Sequence, residues 1–193
     1  MSTETDGDII RRARDNPALF GELYDRHAAV LYRYAARRAG EFAADDVIAD
    51  TFLVAWERLE SYDLTYDDAR PWLFGIVTNL LRRHHRTEAR ILKAAAKSAL
   101  RDSVADESDR VAAETDALAA TGQIALALKA MPAIDRDTLL LYAWGDLTYE
   151  GIAAAMDVPV GTVRSRLNRA RRTLRTELAP ARIEDIGEEA WTS

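Results

Sequence analysis

The sequence predicts an all-α protein of two small helical domains joined by a flexible linker, the second a helix-turn-helix. Three observations predict it. Apolar residues recur at three- and four-residue steps in nearly every segment, and no run alternates as a half-buried strand would. A stretch of alanine and acids at 94–122, without bulky core residues at a steady period, separates two patterned regions. Near the end, two short amphipathic patterns flank a tight turn at 157–159. The 193 residues suit one ordinary domain or two small ones. With 48% hydrophobic and 30% charged residues the composition is that of a globular chain.

Asn16 before Pro17 reads as an N-cap with proline in the first helical position. Phe20, Leu23, Tyr24, His27, Leu31, Tyr34 and Ala35 then share one face, and Gly40 ends the helix. A second helix is expected over 44–59, burying Ile48, Phe52, Ala55, Trp56 and Leu59, with Asp45 and Asp46 at its positive end. Residues 60–70 form a polar, acidic loop before Pro71 opens a third helix that begins apolar and finishes basic. The boundaries that follow are a first domain over 1–93, a linker over 94–122, a second domain over 123–178 and an acidic tail over 179–193. Within the second domain, Ile124, Leu128 and Met131 belong to one helix and Ile134 with Leu139–Trp144 to the next. Pro132 breaks them.

The net charge of −6 hides a partition. Residues 1–70 hold 9 basic and 15 acidic side chains, whereas 80–90 supply four arginines against Glu88 alone. Residues 102–118 carry six carboxylates, 161–175 carry six arginines and no acid, and 176–193 carry five acids and one arginine. Two basic patches between acidic segments point to two nucleic-acid contacts in a chain that avoids DNA on average. The acidic stretches 102–118 and 176–193 are expected to shield the second basic patch when the chain is free.

The composition also excludes classes of function. With no cysteine there is no disulfide framework, cysteine nucleophile or cysteine zinc site. The acidic opening is no signal peptide, and the longest apolar stretch, residues 72–81, is too short to span a bilayer, so a cytoplasmic protein is expected. No phosphate-binding glycine loop and no serine-nucleophile or zinc-protease motif occurs. His84 and His85 point about 100° apart on a helix and do not share a metal easily. His27, in an apolar stripe, reads as a satisfied core residue. Neither a catalytic site, a metal nor a cofactor is expected.

The strongest local signal is LTYEGIAAAMDVPVGTVRSRLNRARRTLR, residues 147–175. Thr148 can cap a helix that buries Ile152, Ala153 and Met156, with Leu147 closing over Ile152. The following helix buries Val163, Leu167, Ala170 and Leu174. Off that stripe stand Arg164, Arg166, Asn168, Arg169, Arg171, Arg172 and Arg175. Thr162, Arg164, Ser165 and Asn168 come early enough to face base edges, while Arg171, Arg172 and Arg175 suit phosphates. Ordinary helix faces mix their charges, and this one holds no acid.

Here the chain resembles the extracytoplasmic-function group of bacterial RNA polymerase sigma factors. Residues 147–175 look like their region 4. ADDVIADTFLVAWERL (44–59) and PWLFGIVTNLLRRHHR (71–86) look like the acidic-aromatic and promoter-melting helices of their region 2. The resemblance covers residues 16–86 and 124–176, in family order, and the three blocks together are highly specific. It implies a factor that binds core RNA polymerase and directs promoter-specific initiation, with promoter DNA and an anti-sigma factor as further partners. Asp45, Asp46, Asp50, Phe52 and Trp56 would face the polymerase clamp, with core packing the competing role for Phe52 and Trp56. Asn79 would lie near a flipped-out minus-ten base, with loop 60–69 as the other wall. Arg82, Arg83 and Arg86 would follow the strand backbone. Trp72 would stack on DNA or sit in the core, and the arginine-rich helix would read the minus-thirty-five element.

This chain departs from the family pattern at three positions. Ala49 replaces a common glutamine, Arg83 a common aspartate, and Asp157 the turn glycine, where aspartate tolerates a left-handed backbone. The rivals are a conventional helix-turn-helix regulator with a helical sensor or dimerisation domain, and a sigma-mimicking interaction module. The first needs a ligand pocket or dimer seam in its N-terminal half, and the second should lack the arginine-rich helix.

Overall fold

The computed structural model describes residues 4–102 and 116–178. Among them all regular structure is helical: α1 (Asp6–Asp15), α2 (Phe20–Ala39), α3 (Glu41–Glu57), α4 (Arg70–Asp102), α5 (Asp116–Ala130), α6 (Ala133–Ala143), α7 (Tyr149–Met156) and α8 (Val160–Leu178). Single 3-10 turns stand at Pro17–Leu19 and Leu59–Ser61.

Helix α1 was not expected, because the opening residues are polar and offer too short a period to read. Thr5 caps it, its Oγ1 accepting from the Asp8 amide at 3.2 Å, and Ile9, Ile10 and Ala13 are fully buried. Asp6 fixes it to the rest. Its buried carboxylate accepts from His27 Nε2 at 2.7 Å, Arg26 Nη1 at 3.0 Å and the Ala69 amide at 2.9 Å. Burial alone would raise the Asp6 pKa, but these donors outweigh it and hold the carboxyl below its ordinary value. His27 is thus the satisfied core residue its place in the apolar stripe suggests.

The Asn16–Pro17 signal marks the 3-10 turn, where Asn16 Oδ1 accepts from the Ala18 amide, and the α-helix proper starts at Phe20. Gly40, at φ 81°, ends α2 in a conformation that L side chains rarely adopt. Helix α3 starts at Glu41, three residues earlier than expected, which moves Asp45 and Asp46 into its second turn. Helices α2, α3 and α4 pack on one another, and α1 closes against α2. In α4 the apolar opening (Leu73, Phe74, Ile76, Val77, Leu81) is buried and Arg83, Arg86 and Arg90 are exposed, as the sequence pattern requires.

The expected linker is helical at both ends, since α4 runs to Asp102 and α5 begins at Asp116. Its middle and the tail 179–193 lie outside the described residues. In the second half, α5, α6 and α7 all pack on α8. Thr148 Oγ1 accepts from the Gly151 amide at 3.0 Å, and Asp157 turns the chain with left-handed φ 50° and ψ 57°. Val163, Leu167 and Ala170 are fully buried.

The two halves are also packed together, and one apolar cluster runs from Ile9 to Ala170. Gly75 of α4 makes this possible, for a Cβ there would lie 2.6 Å from the Ala155 carbonyl of α7. Phe74 packs beside Gly145, and Arg70 Nη2 donates to the Gly145 carbonyl at 2.9 Å. Asp137 of α6, wholly buried, pairs with Arg38 of α2 and Arg82 of α4. The small side chain of Ala155 serves the same close approach of α7 to α4.

Candidate nucleic-acid interface

The helical period of α3 places Val47, Ile48, Thr51, Phe52 and Ala55 inward and leaves Asp45, Asp46, Ala49 and Asp50 in solvent. Phe52 is only 6% exposed, with its ring 4.7 Å from Tyr24 and 6.3 Å from Phe20. It organises the acidic face from beneath. Trp56 packs its ring 5.3 Å from Phe20 yet remains 39% exposed, and Leu53 is 55% exposed. Leu53 escaped the sequence reading because a leucine within a run of apolar residues gives no sign of which way it points. The face therefore combines three free carboxylates with Leu53 and the edge of Trp56, a composition suited to a basic partner with an apolar seam. Across a shallow groove from Asp46 and Asp50 stand Arg83 and His84 of α4.

The loop before α4 forms the second feature. Tyr62, Asp63, Tyr66, Asp68 and Trp72 line a cavity of about 470 Å³. Trp72 is half-buried with its ring 5.0 Å from Tyr62, so it is both core residue and cavity wall. The Tyr62 hydroxyl donates to the Tyr66 carbonyl at 2.9 Å. Burial first, then the surrounding aspartates, push its pKa well up, and it stays a neutral donor. Asn79 is exposed about two helical turns beyond Trp72 and outside the cavity lining, its Oδ1 accepting a long 3.4 Å bond from Arg82 Nη1. Arg83 and Arg86 are exposed. Arg82 is not free, because its Nε donates to Asp137.

Helix α8 carries the third feature. Arg164, Ser165, Asn168 and Arg172 are exposed, and Thr162 is half-buried at the first turn. Ser165 Oγ donates to the Thr162 carbonyl at 2.9 Å, which leaves its lone pairs outward. Arg166 lies against the Met156 sulfur. Two other arginines have structural partners. Arg169 is held by both oxygens of Asp135, at 2.9 and 2.8 Å, and that pairing raises its pKa. Arg171 donates to the Tyr149 hydroxyl at 3.4 Å and lies over the Tyr142 ring at 5.6 Å. The free cationic surface of α8 is therefore narrower than its sequence suggests, formed by Arg164, Arg172 and Arg175, with the neutral Asn168 between them.

Among the described residues no cluster of three or more histidine or acidic side chains is placed to hold a metal, and no helix is long and apolar enough to cross a membrane. Residues 23–103 match the Sigma-70 region 2 family and residues 121–174 match Sigma-70, region 4. The ECF RNA polymerase sigma factor SigL of Mycobacterium tuberculosis is 37% identical over 164 residues, covering 83% of this chain and 89% of SigL. The chain belongs to the extracytoplasmic-function sigma factors. It directs promoter-specific transcription initiation by RNA polymerase, and sigma factors do so without catalysing the polymerisation themselves. The sigma factor CnrH of Cupriavidus metallidurans is 30% identical over 84% of this chain and 87% of CnrH. The structure of CnrH in complex with the cytosolic domain of CnrY superposes with a TM-score of 0.64 and 26% identity, over 90% of this chain and 97% of that one. A sigma factor RpoE from Bartonella quintana shares the fold at TM-score 0.58 and 24% identity, over 84% of this chain and 98% of that one. In this sigma factor the three features lie in family order, acidic helix, cavity loop with basic helix, and helix-turn-helix.

Proposed function

We propose that the three features divide the work of the sigma factor. The carboxylates of α3, Asp45, Asp46 and Asp50, with Leu53 and Trp56, dock on a basic surface of core RNA polymerase. An unstacked base of the minus-ten element is received by the face that the loop 60–69, with its cavity beside Trp72, forms with Asn79 about two turns further along α4, and Arg82, Arg83 and Arg86 follow the strand backbone. Helix α8 enters the major groove at the minus-thirty-five element through Thr162, Arg164, Ser165 and Asn168, with Arg172 on phosphate. The observation that carries this reading is the separation of charge: exposed acid on α3, and on α8 an exposed face of arginines without a single acid between 161 and 175.

The chain itself carries out no catalysis and works in the cytoplasm, where polymerase and promoter are. A cognate anti-sigma factor restrains it, a reading supported by the fold it shares with CnrH, solved in complex with the cytosolic domain of CnrY.

The groove assignment is tested with promoter duplex. Arg164→Ala is expected to cost about 1–3 kcal/mol and to relax preference at one base pair, as loss of a bidentate base contact does. Arg172→Ala should weaken all sequences alike and lower the slope of log affinity against log salt by about 1. Arg169→Ala should instead lower thermal stability, since it unpairs the buried Asp135. Binding titrations of the three variants on matched and mutated duplexes separate the roles. Equal losses for Arg164→Ala and Arg172→Ala on every duplex would refute the sorting into base and phosphate contacts.

A further inference from the structure

Helices α2, α4, α5 and α6 converge on a cleft in which positive charge goes unmatched. One cavity of about 430 Å³ is lined by Arg38, Arg82, His85, Arg86, Arg136 and Asp137. A second, of about 510 Å³, shares Arg38, His85 and Arg136 with it and continues to Arg37, Lys129 and Trp144. The cleft thus holds six cations against one carboxylate, in a chain of net charge −6. Asp137 is taken up by Arg38, whose side chain is 3% exposed, and by Arg82. Among the described residues Arg37, Arg86, Lys129 and Arg136 have no acid within ion-pair distance, and Arg82 Nη2 is buried without a hydrogen-bond partner. The acidic stretches 102–118 and 176–193, expected to shield the second basic patch, lie almost wholly outside the described residues. At the far end of the cleft Trp144 is half-buried, with Arg37 over its ring at 5.8 Å from the centroid.

We propose that this cleft binds a nucleoside polyphosphate, its phosphates held by Arg38, Arg82 and Arg136 and its base placed against Trp144. Guanidinium forks match phosphate oxygens in geometry and charge, and clustered cations without acids are stabilised by the anion they attract. An aromatic ring beside those cations gives the attached base a stacking surface. The volumes fall within the range of about 300–1,000 Å³ usual for small-molecule sites. Burial first, and then Arg38, lower the His85 pKa, so the imidazole stays neutral and donates one N–H without adding to the repulsion. The site lies apart from the three features assigned above and meets them only at Arg82 and Arg86.

The test uses the full chain and calorimetric titration with ATP and with inorganic tripolyphosphate, magnesium being chelated throughout. The parent should bind ATP and melt at a higher temperature in its presence. Three variants, each checked for folding by circular dichroism, locate the site. Arg136→Ala removes a cation common to both cavities and should weaken ATP binding by about tenfold, as loss of one charge-assisted contact does. Trp144→Leu removes the ring and should weaken ATP by about fivefold while leaving tripolyphosphate unchanged. Arg11→Ala, at an exposed position of α1 outside the cleft, makes the same change in net charge as Arg136→Ala and should leave ATP binding unchanged. A folded parent that does not bind ATP at millimolar concentration would overturn the proposal. Equal losses for Arg11→Ala and Arg136→Ala would do so too, because they mark a diffuse charge effect. An equal loss of both ligands in a folded Trp144→Leu protein would remove the nucleoside from the site. If Arg136→Ala weakens binding of a single strand of about 20 nucleotides and leaves ATP binding intact, the cleft belongs to nucleic acid and the proposal fails.

Discussion

Asp6→Ala should remove about 3–5 kcal/mol of stability, the usual cost of deleting one partner of a buried ion pair. The carboxylate is the common acceptor for His27, Arg26 and the Ala69 amide, so its loss leaves the buried imidazole and amide without a partner at once. It also frees α1, whose Ile9, Ile10 and Ala13 are fully buried. The same group sets an acid limit. Its folded pKa lies below the ordinary value, so on acidification the unfolded state takes up the proton first. The Asp6 contribution is therefore complete above about pH 4 and disappears as pH falls through the depressed folded value. Urea unfolding of parent and Asp6→Asn proteins between neutral pH and pH 3 checks this. The parent should lose stability more steeply than the variant below about pH 4, and parallel curves would contradict the assignment.

Asp46→Arg should weaken association with core polymerase by at least about tenfold, because it reverses a charge at the centre of the proposed docking face. It also places a cation across the groove from Arg83 and His84, which extends positive potential over a surface meant for a basic partner. Asp46 is exposed, so circular dichroism and melting temperature should stay close to those of the parent. Asp25→Arg makes the same change in net charge from an exposed position on α2 and is the control. Equal losses for the two variants in a pull-down with core enzyme would indicate a general charge effect rather than a docking face.

Legibility in the sequence followed the range of the interaction. The stripe Val163, Leu167 and Ala170 declares itself because helical period repeats over neighbouring residues. Thr148 and Asp157 do so because a cap and a left-handed turn have local chemical requirements. The exposure of the α3 acids and of Arg164 follows from the same helical period, whereas Asn79 was singled out by the family resemblance alone. What stayed hidden were pairings set by tertiary packing. Asp137 lies 55 residues from Arg82 and 99 from Arg38, and nothing local distinguishes it from a surface aspartate. Asp135 removes Arg169 from the free surface over a separation of 34 residues. Gly75, in an apolar helix, gave no hint that another backbone would approach it. The two basic patches were thus visible as composition, and the packing of the two halves on each other was not.

On the function proposed above, this chain gives core polymerase an address and opens the strands there. Run-off transcription on a genomic fragment library, with core enzyme alone, with the parent and with Asn79→Ala, tests it most directly. The parent should produce starts absent with core enzyme alone, each preceded by common minus-thirty-five and minus-ten elements. Asn79→Ala should still associate with core enzyme and lose most of those transcripts, for want of the amide on the proposed strand-reading face. Binding of the parent to specific duplexes without polymerase, accompanied by no new transcript when polymerase is added, would contradict the account.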